Sequence, residues 1–107
     1  MNIRLIEEKD FEEDVLNNQG VVCVKFYASW CGPCRMLSNV MEDMQDAKYD
    51  SIKVVEINVD NAQRLSSRLG IMSVPTMLFY DHGALVESVV GFRNATQLSE
   101  LFDKYVK

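Results

Sequence analysis

The stretch VVCVKFYASWCGPC, Val21–Cys34, decides how the rest of the chain is read. Val21–Tyr27 is β-branched and aromatic, the composition of a strand covered on both faces. Cys31 and Cys34 follow, separated by Gly32 and Pro33. Beyond them Leu37, Val40, Met41 and Met44 recur at helical spacing, so the cysteines lie where a buried strand gives way to a helix. Lys25 is the odd residue, a charge inside the strand.

Residues i and i+3 of a helix lie about 5–6 Å apart on one face. A disulfide needs a Cα separation of about 4.4–6.8 Å, so this pair can close and reopen with little backbone motion. The first helical turn supplies free N–H groups and a partial positive charge, which favour thiolate over thiol. Cys31 gains most from this. Cys34, one turn inside, is the less exposed and the natural resolving thiol. Pro33 suits a first-turn position that needs no N–H donor. As a metal half-site the pair is incomplete, because tetrahedral sites want four ligands while Cys23 lies in a strand and His82 in a distant turn. As a structural disulfide it closes too short a loop to remove much unfolded-state entropy.

Outward from this centre, strand and helix signals alternate. Phe11, Val15 and Leu16 share a face of a first helix, with Gly20 as its stop. Ile52–Val59, IKVVEINV, is a second strand. Asp60 or Asn61 can cap a short helix carrying Leu65 and Leu69 and ended by Gly70. TMLFYDHGALVESVV, Thr76–Val90, reads as a hairpin turning at Asp81-His82-Gly83. Asn94 and Gln97 form a capping-box pattern ahead of a last helix with Leu98, Leu101, Phe102 and Tyr105 inward. The order implies a mainly parallel sheet between helices, with antiparallel strands at one side.

The chain has 107 residues, 48% apolar and 25% charged, which suits one globular domain over residues 1–107. A net charge of −5, with scattered Lys and Arg, argues against nucleic-acid binding. The acidic EEKDFEED, Glu7–Asp14, reads as a solvated face near a helix start. No apolar run is long enough to cross a membrane. The N-terminal stretch has no basic region followed by an apolar one, so the expectation is a complete cytoplasmic chain without a secretory signal. Three cysteines, one local pair and a single, suit a reducing compartment in which the pair cycles. Cys23 reads as a small buried hydrophobe and His82 as loop surface.

WCGPC after a hydrophobic strand, VPT at Val74–Thr76, and the glycines Gly83 and Gly91 together resemble the thioredoxin family over essentially the whole chain. The resemblance implies an α/β thioredoxin fold, with a central mixed five-stranded sheet flanked by four helices. It implies a redox-active Cys31–Cys34 disulfide, with Cys31 attacking and Cys34 resolving. It also implies a cis Val74–Pro75 bond, which an X-Pro bond tolerates far better than any other. The Val74 backbone would pair with an extended substrate segment. Trp30, Gly32, Pro33, Met72, Val74, Pro75, Gly91 and Phe92 would form the surrounding rim, although Met72 and Phe92 equally suit partial core packing.

Three departures from the family pattern involve four positions. The usual buried Asp is Lys25, and the usual Lys is Glu56, so an opposite-charge pair on neighbouring strands is kept with its sign exchanged. Either the pair serves stability alone, or Glu56 accepts the Cys34 proton while Lys25 favours the thiolates. Asn39 stands where a helix-kinking proline is common, which predicts a straighter helix. Tyr27 replaces a commoner Trp and adds a hydroxyl.

The leading reading is a general protein-disulfide reductase, a thiol–disulfide oxidoreductase recharged by thioredoxin reductase and acting on disulfide-containing client proteins as a monomer. It requires no metal and no organic cofactor. A redox-independent binding module on the same fold is the alternative, and the intact WCGPC counts against it. A disulfide-forming oxidase is disfavoured by Gly32-Pro33.

Overall fold

Unbroken burial from Val21 to Phe26 gives this strand two covered faces, and the fold is built on both. In the computed structural model, which describes residues 1–107, the strands are β1 (Ile3–Leu5), β2 (Val21–Tyr27), β3 (Ile52–Asn58), β4 (Thr76–Asp81) and β5 (Ala84–Val90). They form one sheet in the order β1-β3-β2-β4-β5. β1, β3 and β2 are parallel, while β4 pairs antiparallel with both β2 and β5. This is the expected mixed five-stranded sheet.

The α-helices are α1 (Gly32–Glu42), α2 (Gln63–Arg68) and α3 (Ala95–Asp103). Val21 and Cys23 pack on one face of the sheet with Leu37, Met41, Phe79 and Phe102. Val22, Val24 and Phe26 pack on the other with Phe11, Val15 and Leu65. Each large apolar side chain so buried contributes about 1.5–3 kcal/mol. α1 is continuous from Gly32 to Glu42, and the Asn39 carbonyl accepts the Asp43 N–H at 3.2 Å.

The first helical segment is not α-helical as expected. It is a 3-10 turn, Glu8–Asp10, followed by a π-turn, Glu12–Leu16, closed by the Asn17 N–H on the Glu12 carbonyl at 2.9 Å. Phe11 and Val15 face the core, but the widened turn carries Leu16 off that face and leaves it exposed. Gly20 is not a left-handed stop. Its carbonyl instead accepts the His82 N–H at 3.0 Å.

α2 differs at its start. Neither Asp60 nor Asn61 caps it; the Leu65 N–H donates to Glu8 Oε1 at 2.6 Å, a cap brought from the other end of the chain. Its C-terminus is as read. Gly70 has φ +71°, and the Ile71 and Gly70 N–H groups return to the Ser66 and Ser67 carbonyls. The Asn94–Gln97 capping box forms with bonds of 2.9 and 3.0 Å. Tyr105 lies past the end of α3, yet its ring stacks on Phe79 with centroids 4.7 Å apart.

The hairpin turns on His82 (φ +51°) and Gly83 (φ +83°), both left-handed as a type I′ turn requires. A Cβ on Gly83 would run into the Leu16 carbonyl. Gly83→Ala is therefore expected to cost about 1–3 kcal/mol from the left-handed backbone alone, and more from the clash. Gly20→Ala, where the nearest atom would be 3.8 Å away, should leave the urea midpoint almost unchanged. Equal midpoints for the two variants would contradict this account.

Candidate active site

Cys31 takes extended backbone angles (φ −96°, ψ 110°) and is the N-cap of α1, with Pro33 in the first turn. The two cysteines are joined as a disulfide with Cα atoms 5.3 Å apart, within the range the spacing allows. Cys31 Sγ also accepts the Cys34 N–H at 3.2 Å, so the sulfur occupies the place a capping oxygen would. The same N–H is available to a thiolate in the reduced form, where it favours the charged state. Both cysteines are covered, Cys31 at 5% and Cys34 at 2% relative exposure, so the expected difference in access is small. They pack with Ala28, and Tyr27, Val59 and Val74 lie against them.

The Val74–Pro75 bond is cis, as expected. It places the Val74 carbonyl oxygen 3.8 Å from Cys31 Sγ. Two bonds hold this loop: the Gly91 N–H donates to the Pro75 carbonyl at 2.8 Å, and Thr76 Oγ1 to the Ser73 carbonyl at 2.7 Å. Gly91 has φ +94°, which explains why a glycine stands there. Arg35 Nη1 donates to the Ser29 carbonyl at 3.2 Å and steadies the segment leading into the cysteines.

Trp30, Val59, Ile71, Met72, Ser73 and Val74 line an open groove of about 410 Å³ beside this loop. Met72 is 94% exposed, so core packing does not account for it. Phe92 does pack against the core, on the face carrying Phe79 and Phe102. Gly32 and Pro33 sit in the first turn of α1, beside Cys31. Val59 and Ile71 were not legible as groove residues. Each is a lone aliphatic at the edge of a short element, and only the loop geometry brings them beside Trp30.

Lys25 and Glu56 are direct neighbours in the β2–β3 register. Lys25 Nζ lies 3.0 Å from Glu56 Oε2, with side-chain exposures of 2% and 25%. The ammonium is thus the buried member and the carboxylate the one that reaches solvent. Lys25 Nζ also donates a short hydrogen bond to Ser38 Oγ on α1, a partner the sequence did not suggest. The signal was present: Ser38 is one turn past Cys34 on the face that carries Leu37 and Met41. A cavity of about 300 Å³, lined in part by Met1, Ile3, Lys25, Ser38, Glu42 and Glu56, opens at the pair. Burial first, then the Glu56 charge, pushes the Tyr27 hydroxyl above its ordinary pKa. Burial also raises the Cys23 thiol, partly opposed by the Lys25 charge, so Cys23 is an inert core sulfur.

Two sulfurs that pair at a helix start, with a peptide carbonyl and an apolar groove alongside, are the equipment of a thiol–disulfide oxidoreductase. A family model described as Thioredoxin matches residues 2–104. The thioredoxin of Listeria monocytogenes is 36% identical over 104 residues, covering 97% of this chain and 99% of that protein. That of Bacillus subtilis is 36% identical over 102 residues, covering 95% and 98%. Among solved structures, a mutant thioredoxin from Halobacterium salinarum superposes with a TM-score of 0.84 at 34% identity, over 99% of this chain and 92% of that one. The chain belongs to the thioredoxin family and carries out dithiol–disulfide exchange. Thioredoxins generally work with thioredoxin reductase and disulfide-containing targets. No helix of this chain is long and apolar enough to cross a membrane.

Proposed function

We propose that residues 1–107 act as one monomeric domain in the cytoplasm, reducing disulfides of client proteins and being re-reduced by thioredoxin reductase. The Cys31 thiolate attacks a client disulfide; a Cys31–client bond forms, and the first client sulfur leaves and takes up a proton. The Cys34 thiolate then attacks Cys31 Sγ. The Cys31–Cys34 bond forms, the second client sulfur leaves as a thiolate that is protonated in turn, and the client is reduced by two electrons. The client chain lies along Val74 with its side chains against Trp30 and Met72, beside Gly32, Pro33, Pro75 and Gly91.

The observation that carries this reading is the Cys31 sulfur at the N-cap, accepting the Cys34 N–H at 3.2 Å beside the Val74 carbonyl. An insulin-reduction assay, with a redox titration of the Cys31–Cys34 couple, tests it. Catalysed reduction tied to a reversible two-electron couple is expected. A couple that cycles without reducing insulin would overturn the general-reductase reading.

Glu56 is the proton acceptor for Cys34, and Lys25 favours the thiolates. The partly exposed carboxylate beside the cavity supports this, because it can pass a proton on to solvent. Glu56→Gln is expected to slow reduction about 10²-fold near neutral pH, the lower end for loss of a general base, with less effect as hydroxide rises. A wild-type rate across neutral pH would remove Glu56 from the mechanism.

A further inference from the structure

Ser38 follows Cys34 by four residues in α1, so the two side chains share the face turned to the sheet, about 5–6 Å apart at Cβ. Helical side chains lean toward the N-terminus, which tilts the Ser38 hydroxyl toward Cys34. The oxygen already accepts from the Lys25 ammonium. A serine hydroxyl has one proton to give and two lone pairs. With the ammonium on its acceptor side, its own O–H is free to turn away from Lys25, and the helix spacing puts Cys34 one turn up the same face.

We propose that Ser38 is a positioning residue for the resolving step, passing the Lys25 charge to Cys34 as a hydrogen bond from its O–H to the sulfur. The inference rests on Cys34 being the resolving thiol. No bond is made or broken in this role. The hydroxyl stabilises the thiolate that Cys34 becomes after its proton has left, and so raises the fraction ready to attack Cys31. The ammonium polarises the hydroxyl, and a bond to a charged partner is stronger than a neutral one.

The charged and titratable groups around Cys34 and the Lys25–Ser38 link divide by element. β2 contributes Lys25 and Tyr27, and β3 contributes Glu56. α1 contributes Cys31 at its cap and Glu42 at its far end, across the cavity. Of these, Lys25 is the buried cation, and Ser38 is the side chain that holds it to α1.

The test is a pH titration of the Cys34 thiolate by its ultraviolet absorbance in a Cys31→Ser background, which keeps an oxygen at the N-cap. Adding Ser38→Ala is expected to raise the midpoint by about one pH unit, an approximately tenfold lower thiolate fraction at a given acidic pH. Ser38→Thr, which retains the hydroxyl, should stay near the background value. An unchanged midpoint in Ser38→Ala overturns the proposal, as does an equal shift in Ser38→Thr. Insulin reduction by the unaltered chain is read separately. Failure there, with the Cys34 midpoint still following Ser38, would bring down the exchange reading and leave the Ser38 link standing.

Discussion

Replacing Cys31 with serine is expected to abolish disulfide reduction, with a loss on the order of 10³-fold or more, because an un-ionised hydroxyl replaces a nucleophilic thiolate. The substitution is mild structurally. Serine is a favoured N-cap and can accept the Cys34 N–H that Cys31 Sγ accepts at 3.2 Å, so α1 keeps its start. Stability should change little while activity vanishes, and that separation is the informative part. Cys34→Ser is expected to behave differently. Cys31 can still attack, but nothing resolves the product, so Cys31–client mixed disulfides accumulate and appear as adducts on non-reducing gels. Adducts forming equally through Cys34 in Cys31→Ser would reverse the assigned roles. Full biological activity in a variant lacking both cysteines would favour a redox-independent binding module.

The second large effect concerns Lys25 and Glu56. Glu56→Ala is expected to destabilise the protein by about 3–5 kcal/mol, the range for breaking a buried ion pair from one side. For a domain of this size that lowers the melting temperature by about 12 °C or more. The cost arises because Lys25 would remain buried with only Ser38 Oγ as a partner. Lys25→Met should cost less, since the Glu56 carboxylate it leaves behind already reaches solvent. The asymmetry follows from which member is buried, and thermal melts of the two variants read it directly. Greater loss in Lys25→Met would show that the carboxylate is the poorly solvated partner. Lys25→Asp alone places two carboxylates together, and adding Glu56→Lys should recover most of the loss, because the register keeps the two positions face to face.

Much of this was legible locally. The strand Val21–Tyr27 is an unbroken apolar run apart from one charge, and it forms with the expected bounds. The His82-Gly83 turn, the Gly70 helix end and the Asn94–Gln97 box are each set by backbone angles and hydrogen bonds spanning a few residues. The Lys25–Glu56 pair was legible only through the resemblance, which supplied the strand neighbours.

What was missed has one cause. Glu8 caps α2 from 57 residues away, the π-turn carries Leu16 outward as its carbonyl meets Gly83, and Val59 and Ile71 join Trp30 at the groove. None of these has a local signature, because the groups that satisfy one another are far apart along the chain.

By itself, then, the sequence determined the chemistry: a cysteine pair at i and i+3 on a helix start, ready to close and open. It also determined that a charge lies behind that pair. Only the tertiary structure decided which charge is buried, that Ser38 shares the ammonium, and that the carboxylate faces a cavity. Spacing along a helix is a property of the backbone and can be read from the order of residues. The environment of a buried charge is a property of what packs on it, and that exists only once the sheet and α1 have come together.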